Sequence, residues 1–258
     1  MTTISMSAQA APRNAVDDSS ASSVPAHKQA QFLARLTGLM FLVTFATSIP
    51  PVLTFYVPAL SNPAFVLGGG FDTGVSWGAL LEVLLIVANL ATALALFPVL
   101  KRRFPVLSLS YVAARLTECG FIAVGILALL ALDTLRLQGA GTNPDMLVVV
   151  GRALVAVHDW TFRLGPGVVV GIGNGLILGY MMWQSRLVPR YLSILGLVGG
   201  PALLIAGIAV LFGVIDAGST PQAIATLPEF LWELSLGLVL LVRGFSSRAL
   251  ADLNARQA

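Results

Sequence analysis

Between Arg35 and Asp72 the chain carries no charged residue, and five further apolar stretches follow it. About 20 apolar residues suffice for a helix to cross a bilayer, so a chain built of such stretches has lipid as its solvent. Lipid offers no hydrogen bonds to the backbone, which leaves helices as the economical way across. Composition agrees. Hydrophobic residues make up 57% and charged residues 10%, against about 25% charged in a soluble domain. The expected fold is an all-α polytopic bundle.

Six spans are expected, at about 32–54, 77–96, 107–130, 160–182, 191–212 and 228–245. Pro50 and Pro51 should kink or end the first, because proline removes a helical hydrogen bond and clashes with the preceding turn. Residues 146–157 are apolar apart from Arg152 and too short to cross alone, so they are expected as one external interfacial helix leading into the fourth span. Residues 1–30 are rich in Ser and Ala and lack the apolar core of a signal peptide, which predicts a disordered cytoplasmic tail. The membrane domain then spans 31–246, and 247–258 forms a short cytoplasmic tail.

Basic residues set the orientation. Lys28, Arg35, Lys101, Arg102, Arg103, Arg186, Arg190, Arg243, Arg248 and Arg256 fall on the side of the termini; only Arg136, Arg152 and Arg163 fall opposite. By the positive-inside rule both termini are cytoplasmic, which places the protein as a multi-pass component of a bacterial cytoplasmic membrane. The net charge of +3 is that of such loops and gives no reason to expect nucleic acid as a partner.

A charged side chain at the bilayer centre costs about 2.5–3.5 kcal/mol on insertion scales, so those present need partners or a function. Glu82 lies about 8 Å below the outer end of the second span and shares a helical face with Asn89. Tyr111, Arg115 and Glu118 form a polar stripe near the middle of the third. Both stripes should turn inward, with Arg115 bridging Glu118 and within reach of Glu82; a buried ion pair that only fixes packing is the competing reading. Glu233 looks toward the same interior. His158 stands beside Asp159 and Arg163 at the entrance to the fourth span. An imidazole ordinarily changes charge near neutral pH, which leaves it open as a proton carrier, while Asp159 and Arg163 are explained as an i,i+4 surface pair. Thr226, Pro228 and Glu229 read as a capping box opening the sixth span, which gives Glu229 a structural role.

Gly167, Gly171, Gly175 and Gly179 recur every four residues and form a small-residue ridge for close helix packing, in this chain or with a second one. Asn174 lies within that stretch and needs a buried partner. No HExxH, GxSxG, Cys-x-x-Cys or P-loop is present. Two histidines and one cysteine, Cys119, offer no multi-ligand metal site within one chain, so neither metal nor cofactor is expected and no catalytic residue is assigned.

Several motifs occur in order: Gly78-Ala79-Leu80-Leu81-Glu82, Phe97-Pro98-Val99-Leu100-Lys101-Arg102, Tyr111-Val112-Ala113-Ala114-Arg115-x-x-Glu118, His158-Asp159-Trp160-Thr161-Phe162, and Trp232-Glu233-Leu234. From Arg35 to Phe245 the chain resembles the bacterial multi-pass membrane proteins grouped as domain of unknown function 4386. The resemblance implies a six-helix membrane fold and brings no activity with it.

The function expected is therefore non-enzymatic: a polar pocket in the outer half of the bundle, binding or passing a small solute, a lipid headgroup or a proton. Its alternatives are a structural or partner-binding subunit and, third, an intramembrane acid/base enzyme. Partners besides the bilayer would be a small-molecule or lipid ligand, or another chain on the glycine ridge.

Overall fold

The computed structural model describes residues 17–255, which contain no strand. Helix α1 (Asp17–Pro50) continues as a π-helical turn (Pro51–Phe55) into a short α2 (Val57–Ser61). Then come α3 (Thr73–Leu100), α4 (Pro105–Gln138), α5 (Pro144–Leu164), two π-helical segments (Gly165–Val169 and Gly171–Leu178), α6 (Gly179–Ser185), α7 (Arg190–Leu211), α8 (Thr220–Val242) and α9 (Ser247–Ala255). Six helical runs are long and apolar enough to cross a membrane: His27–Phe55, Thr73–Leu100, Pro105–Gln138, Pro144–Ser185, Arg190–Leu211 and Thr220–Val242. Each corresponds to one of the six expected spans.

The local signals that start these helices are visible in the sequence. Asp72 caps α3, its Oδ1 accepting from the N–H groups of Gly74 and Val75 at 2.8 and 3.1 Å, which satisfies donors the first turn cannot pair internally. Asn143 does the same for α5 through Asp145 N at 2.9 Å, with Pro144 in the first turn. Prolines act as expected at the other end of α1: Pro50 and Pro51 convert the helix to a π turn that stops at Phe55. Residues 146–157 form the first half of α5, whose helical run continues through the π segments for 42 residues in all.

The sixth crossing corrects one expectation. Helix α8 starts at Thr220, not at Thr226, and Pro228 lies inside it. Thr226 Oγ1 bonds back to Gln222 O at 2.8 Å rather than capping anything. Ser219 and Pro221 carry an equivalent start signal two turns earlier, and a proline within a membrane helix is tolerated because neighbours re-satisfy the freed carbonyl.

Each crossing packs on its chain neighbours, and α8 returns to α1, so the bundle closes on itself. One end has a core of Phe41, Leu96, Leu100, Met181, Met182, Trp232 and Leu240. There the expected tail at 247–258 is, as far as Ala255, an amphipathic helix. Its Ala249, Leu250 and Leu253 are buried in that core, because their spacing puts them on one face. The expected disordered tail at 1–30 lies outside the described residues up to 16; from Asp17 the backbone is helical.

The glycine ridge packs within the chain, against α7. A Cβ on Gly175 would lie 2.3 Å from Gly200 Cα, and one on Gly171 would lie 2.7 Å from Gly200 O. Gly179 faces Gly196 and Leu197, and Gly167 O approaches Gly207. Backbone meets backbone along the whole ridge, which is how small-residue faces replace the missing hydrophobic drive in lipid.

Candidate functional site

The polar stripes of α3 and α4 do turn inward. Arg115 Nη1 donates to Glu118 Oε2 at 2.8 Å and to Asn89 Oδ1 at 3.2 Å, while Asn89 Nδ2 donates to Glu118 Oε1 at 3.0 Å. The three side chains thus bond one another in a closed triangle, with Arg115 Nη2 left without a hydrogen-bond partner. Arg115 Nε also donates to Tyr111 Oη at 3.3 Å, and the guanidinium lies 5.6 Å from the centre of the Phe41 ring. Such stacking adds attraction where water is excluded.

Glu82 has a different partner from the one the stripes suggested. Tyr56, at the end of the π turn after α1, donates its hydroxyl to Glu82 Oε2 at 2.9 Å. Glu233 on α8 accepts from Asn174 Nδ2, and Asn174 O accepts from Trp232 Nε1 at 3.0 Å. The buried amide in the glycine ridge thereby finds a partner for its Nδ2, while its Oδ1 has none.

Glu229, one turn before Glu233, is 2% exposed, and neither of its carboxyl oxygens has a hydrogen-bond partner. Room for it comes from Gly175 and Gly199. A Cβ on either would fall 2.7 or 2.9 Å from Glu229 Oε2. Those glycines serve both close helix packing and the seating of a carboxyl.

Glu82, Asn89, Arg115, Glu118, Glu229 and Glu233 all line one cavity of about 370 Å³, reached from α1, α3, α4 and α8. Tyr111 lies behind Arg115 and off the cavity wall. The remaining lining is mainly apolar, from Phe45, Ile49, Val52, Leu85, Phe162, Phe230 and their neighbours. Both π-helical regions contribute, through Val52 and Leu53 on one side and Pro166 on the other, with Val170 beside it. A second cavity of about 730 Å³ shares Val52, Phe162, Pro166, Leu203, Thr226 and Phe230 with the first and reaches the α7–α8 loop at Ala217 and Gly218. It forms a vestibule at the end of the bundle opposite the termini.

His158 lines the vestibule and not the inner cavity. It is buried, its Nδ1 lacks a hydrogen-bond partner, and its ring meets Tyr56 edge-on with centroids 5.5 Å apart. Asp159 and Arg163 form the anticipated i,i+4 contact, at 3.7 Å. Among the described residues no group of three or more His, Cys, Asp or Glu could hold a metal ion. Cys119 is buried, with Sγ 3.8 Å from Ile86 O.

Two site residues escaped the sequence reading. Glu229 was explained away by a capping box that does not form. Tyr56 was hidden in a Gly/Pro-rich connection, where Pro50 and Pro51 signal a break in the helix but not the direction the chain then takes. A third feature stabilises the rim: Arg136 donates to Gly70 O and Phe65 O at 3.2 and 3.3 Å, and buried Asp133 accepts from Asp72 N at 3.0 Å. Together they hold the α2–α3 connection against α4.

A helical bundle with six apolar crossings and a polar interior defines a multi-pass membrane protein. The chain belongs to the family described as Domain of unknown function (DUF4386), whose model matches residues 36–244. No curated protein and no solved structure matches it.

Proposed function

We propose that this protein is a membrane-embedded binding protein whose inner cavity takes up a small ligand through the vestibule opposite the termini. By the balance of basic residues that vestibule opens outward from the cytoplasm. The observation that carries the reading is Glu229. A carboxyl this deeply buried with neither oxygen bonded is costly unless something else completes it, and it faces a cavity. The Arg115–Glu118–Asn89 triangle pairs its own carboxylate and amide and leaves only Arg115 Nη2 without a hydrogen-bond partner. Glu82, Glu229 and Glu233 are therefore the residues on which binding rests, with passage of the ligand deeper into the bundle as the alternative use of the same cavity.

The test is purification from native membranes followed by mass spectrometry of co-purifying small molecules. Wild type should retain a compound that is lost from Glu229→Gln and from Val52→Trp, which fills the neck, with both variants folded by thermal denaturation. Identical contents in all three would refute the proposal.

A further inference from the structure

The inner cavity has more acidic than basic side chains. Four carboxyls, Glu82, Glu118, Glu229 and Glu233, face it, and one guanidinium, Arg115, opposes them. Arg115 Nη1 bonds Glu118 at 2.8 Å, so this ion pair sets the one guanidinium of the wall against one carboxyl, with its Nη2 left without a hydrogen-bond partner. Glu82 has a phenol for a partner, Glu233 an amide, and Glu229 nothing. Tyr56 and Asn174 lend hydrogen bonds and no charge.

The way in is apolar. Val52, Phe162, Pro166, Leu203 and Phe230 form most of the surface common to cavity and vestibule. Phe45 meets Phe230 edge to face with centroids 5.1 Å apart, and both line the inner cavity. A hydrated metal ion would exchange its water for hydrocarbon along that path, and hard cations need a shell of six or more oxygens. An ammonium carried on an apolar body meets what is there: aromatic faces for the approach and carboxylates at the base.

We infer that the cavity selects an organic cation, an amine on a small apolar body, with its charged head against Glu229 and Glu233 and its body between Phe45, Val52 and Phe230. The inference rests on the binding reading above and adds the sign of the ligand's charge. Arg115 is held by Glu118 and Asn89 and offers an anion only Nη2, on a wall where carboxyls outnumber it four to one.

The experiment uses three compounds with one body and three charges: 4-phenylbutylamine, 4-phenylbutanol and 4-phenylbutyrate. Binding to the full-length protein in lipid nanodiscs is measured at neutral pH by calorimetry. The amine should bind at least about tenfold more tightly than either analogue, a factor that corresponds to about 1.4 kcal/mol. Glu229→Gln should remove most of that preference while leaving the alcohol's affinity within about twofold. Should Glu229→Gln fail to fold, Glu233→Gln is read the same way, and the wild-type ranking decides by itself. Alcohol or carboxylate binding as tightly as the amine overturns the charge assignment while leaving a binding cavity. None of the three binding also overturns it, and the co-purification experiment then judges the cavity separately. Competition from phosphatidylethanolamine built into the nanodisc would place the ammonium on a lipid headgroup; equal amine affinity without it would place it on a free amine.

Discussion

Tyr56 Oη reaches Glu82 Oε2 at 2.9 Å because Gly78, one turn before Glu82 on α3, has no side chain. A Cβ on Gly78 would stand 2.2 Å from Tyr56 Cε1, so the ring occupies space that only glycine leaves. The relation ties the π turn after α1 to the cavity wall on α3.

Gly78→Ala should therefore expel the Tyr56 ring and release Glu82. Overpacking of this kind costs about 1–3 kcal/mol. Thermal denaturation in detergent reads the loss. Adding Tyr56→Phe to Gly78→Ala should cost little more, whereas Tyr56→Phe alone should be measurably destabilising, the pattern of two residues that act as a unit.

Arg115→Met should be the most damaging single change at the site. It leaves Glu118 buried, 6% exposed, with only Asn89 for a partner. Removing one member of a buried pair costs about 3–5 kcal/mol, while replacing both by apolar groups is often neutral. Arg115→Met combined with Glu118→Leu should accordingly recover much of the lost stability in the same denaturation assay. A double variant no better than Arg115→Met alone would show that the triangle does not work as a pair.

Along the ridge, position matters more than residue type. Gly200→Ala should prevent accumulation of folded protein, since its Cβ would lie 2.6 Å from Gly171 O. Gly120→Ala on α4 meets open space and should be tolerated. Expression with monodisperse size exclusion separates the two outcomes.

Arg136→Ala should loosen the connection between α2 and α3 without melting the bundle. The side chain holds two carbonyls there and stacks 4.3 Å from the Phe65 ring centre. Faster hydrogen exchange confined to residues 62–71 is the expected readout, with overall stability lowered by about 1–2 kcal/mol.

The number of crossings and the inward face of Glu82, Asn89, Arg115 and Glu118 were legible because apolar length and helical spacing are local properties. So was the Asp159–Arg163 pair, an i,i+4 contact within one helix. What was not legible depends on packing between distant segments. Thr226-Leu227-Pro228-Glu229 has the residues of a helix start, and only the earlier start at Thr220 turns Glu229 into a buried wall residue. Pairing of Glu82 with Tyr56 requires the π turn that follows Pro51, and hydrophobic periodicity carries no signal for such turns. The helical form of α9 and the burial of Ala249, Leu250 and Leu253 depend on packing against the bundle, which a nine-residue segment does not announce by itself.

The most direct test is an experimental density map of the protein purified from its native membrane in mild detergent. Non-protein density is expected in the inner cavity, within hydrogen-bonding distance of Glu229, together with its loss in Glu229→Gln. A collapsed cavity in which a protein donor already bonds the Glu229 carboxyl would contradict it.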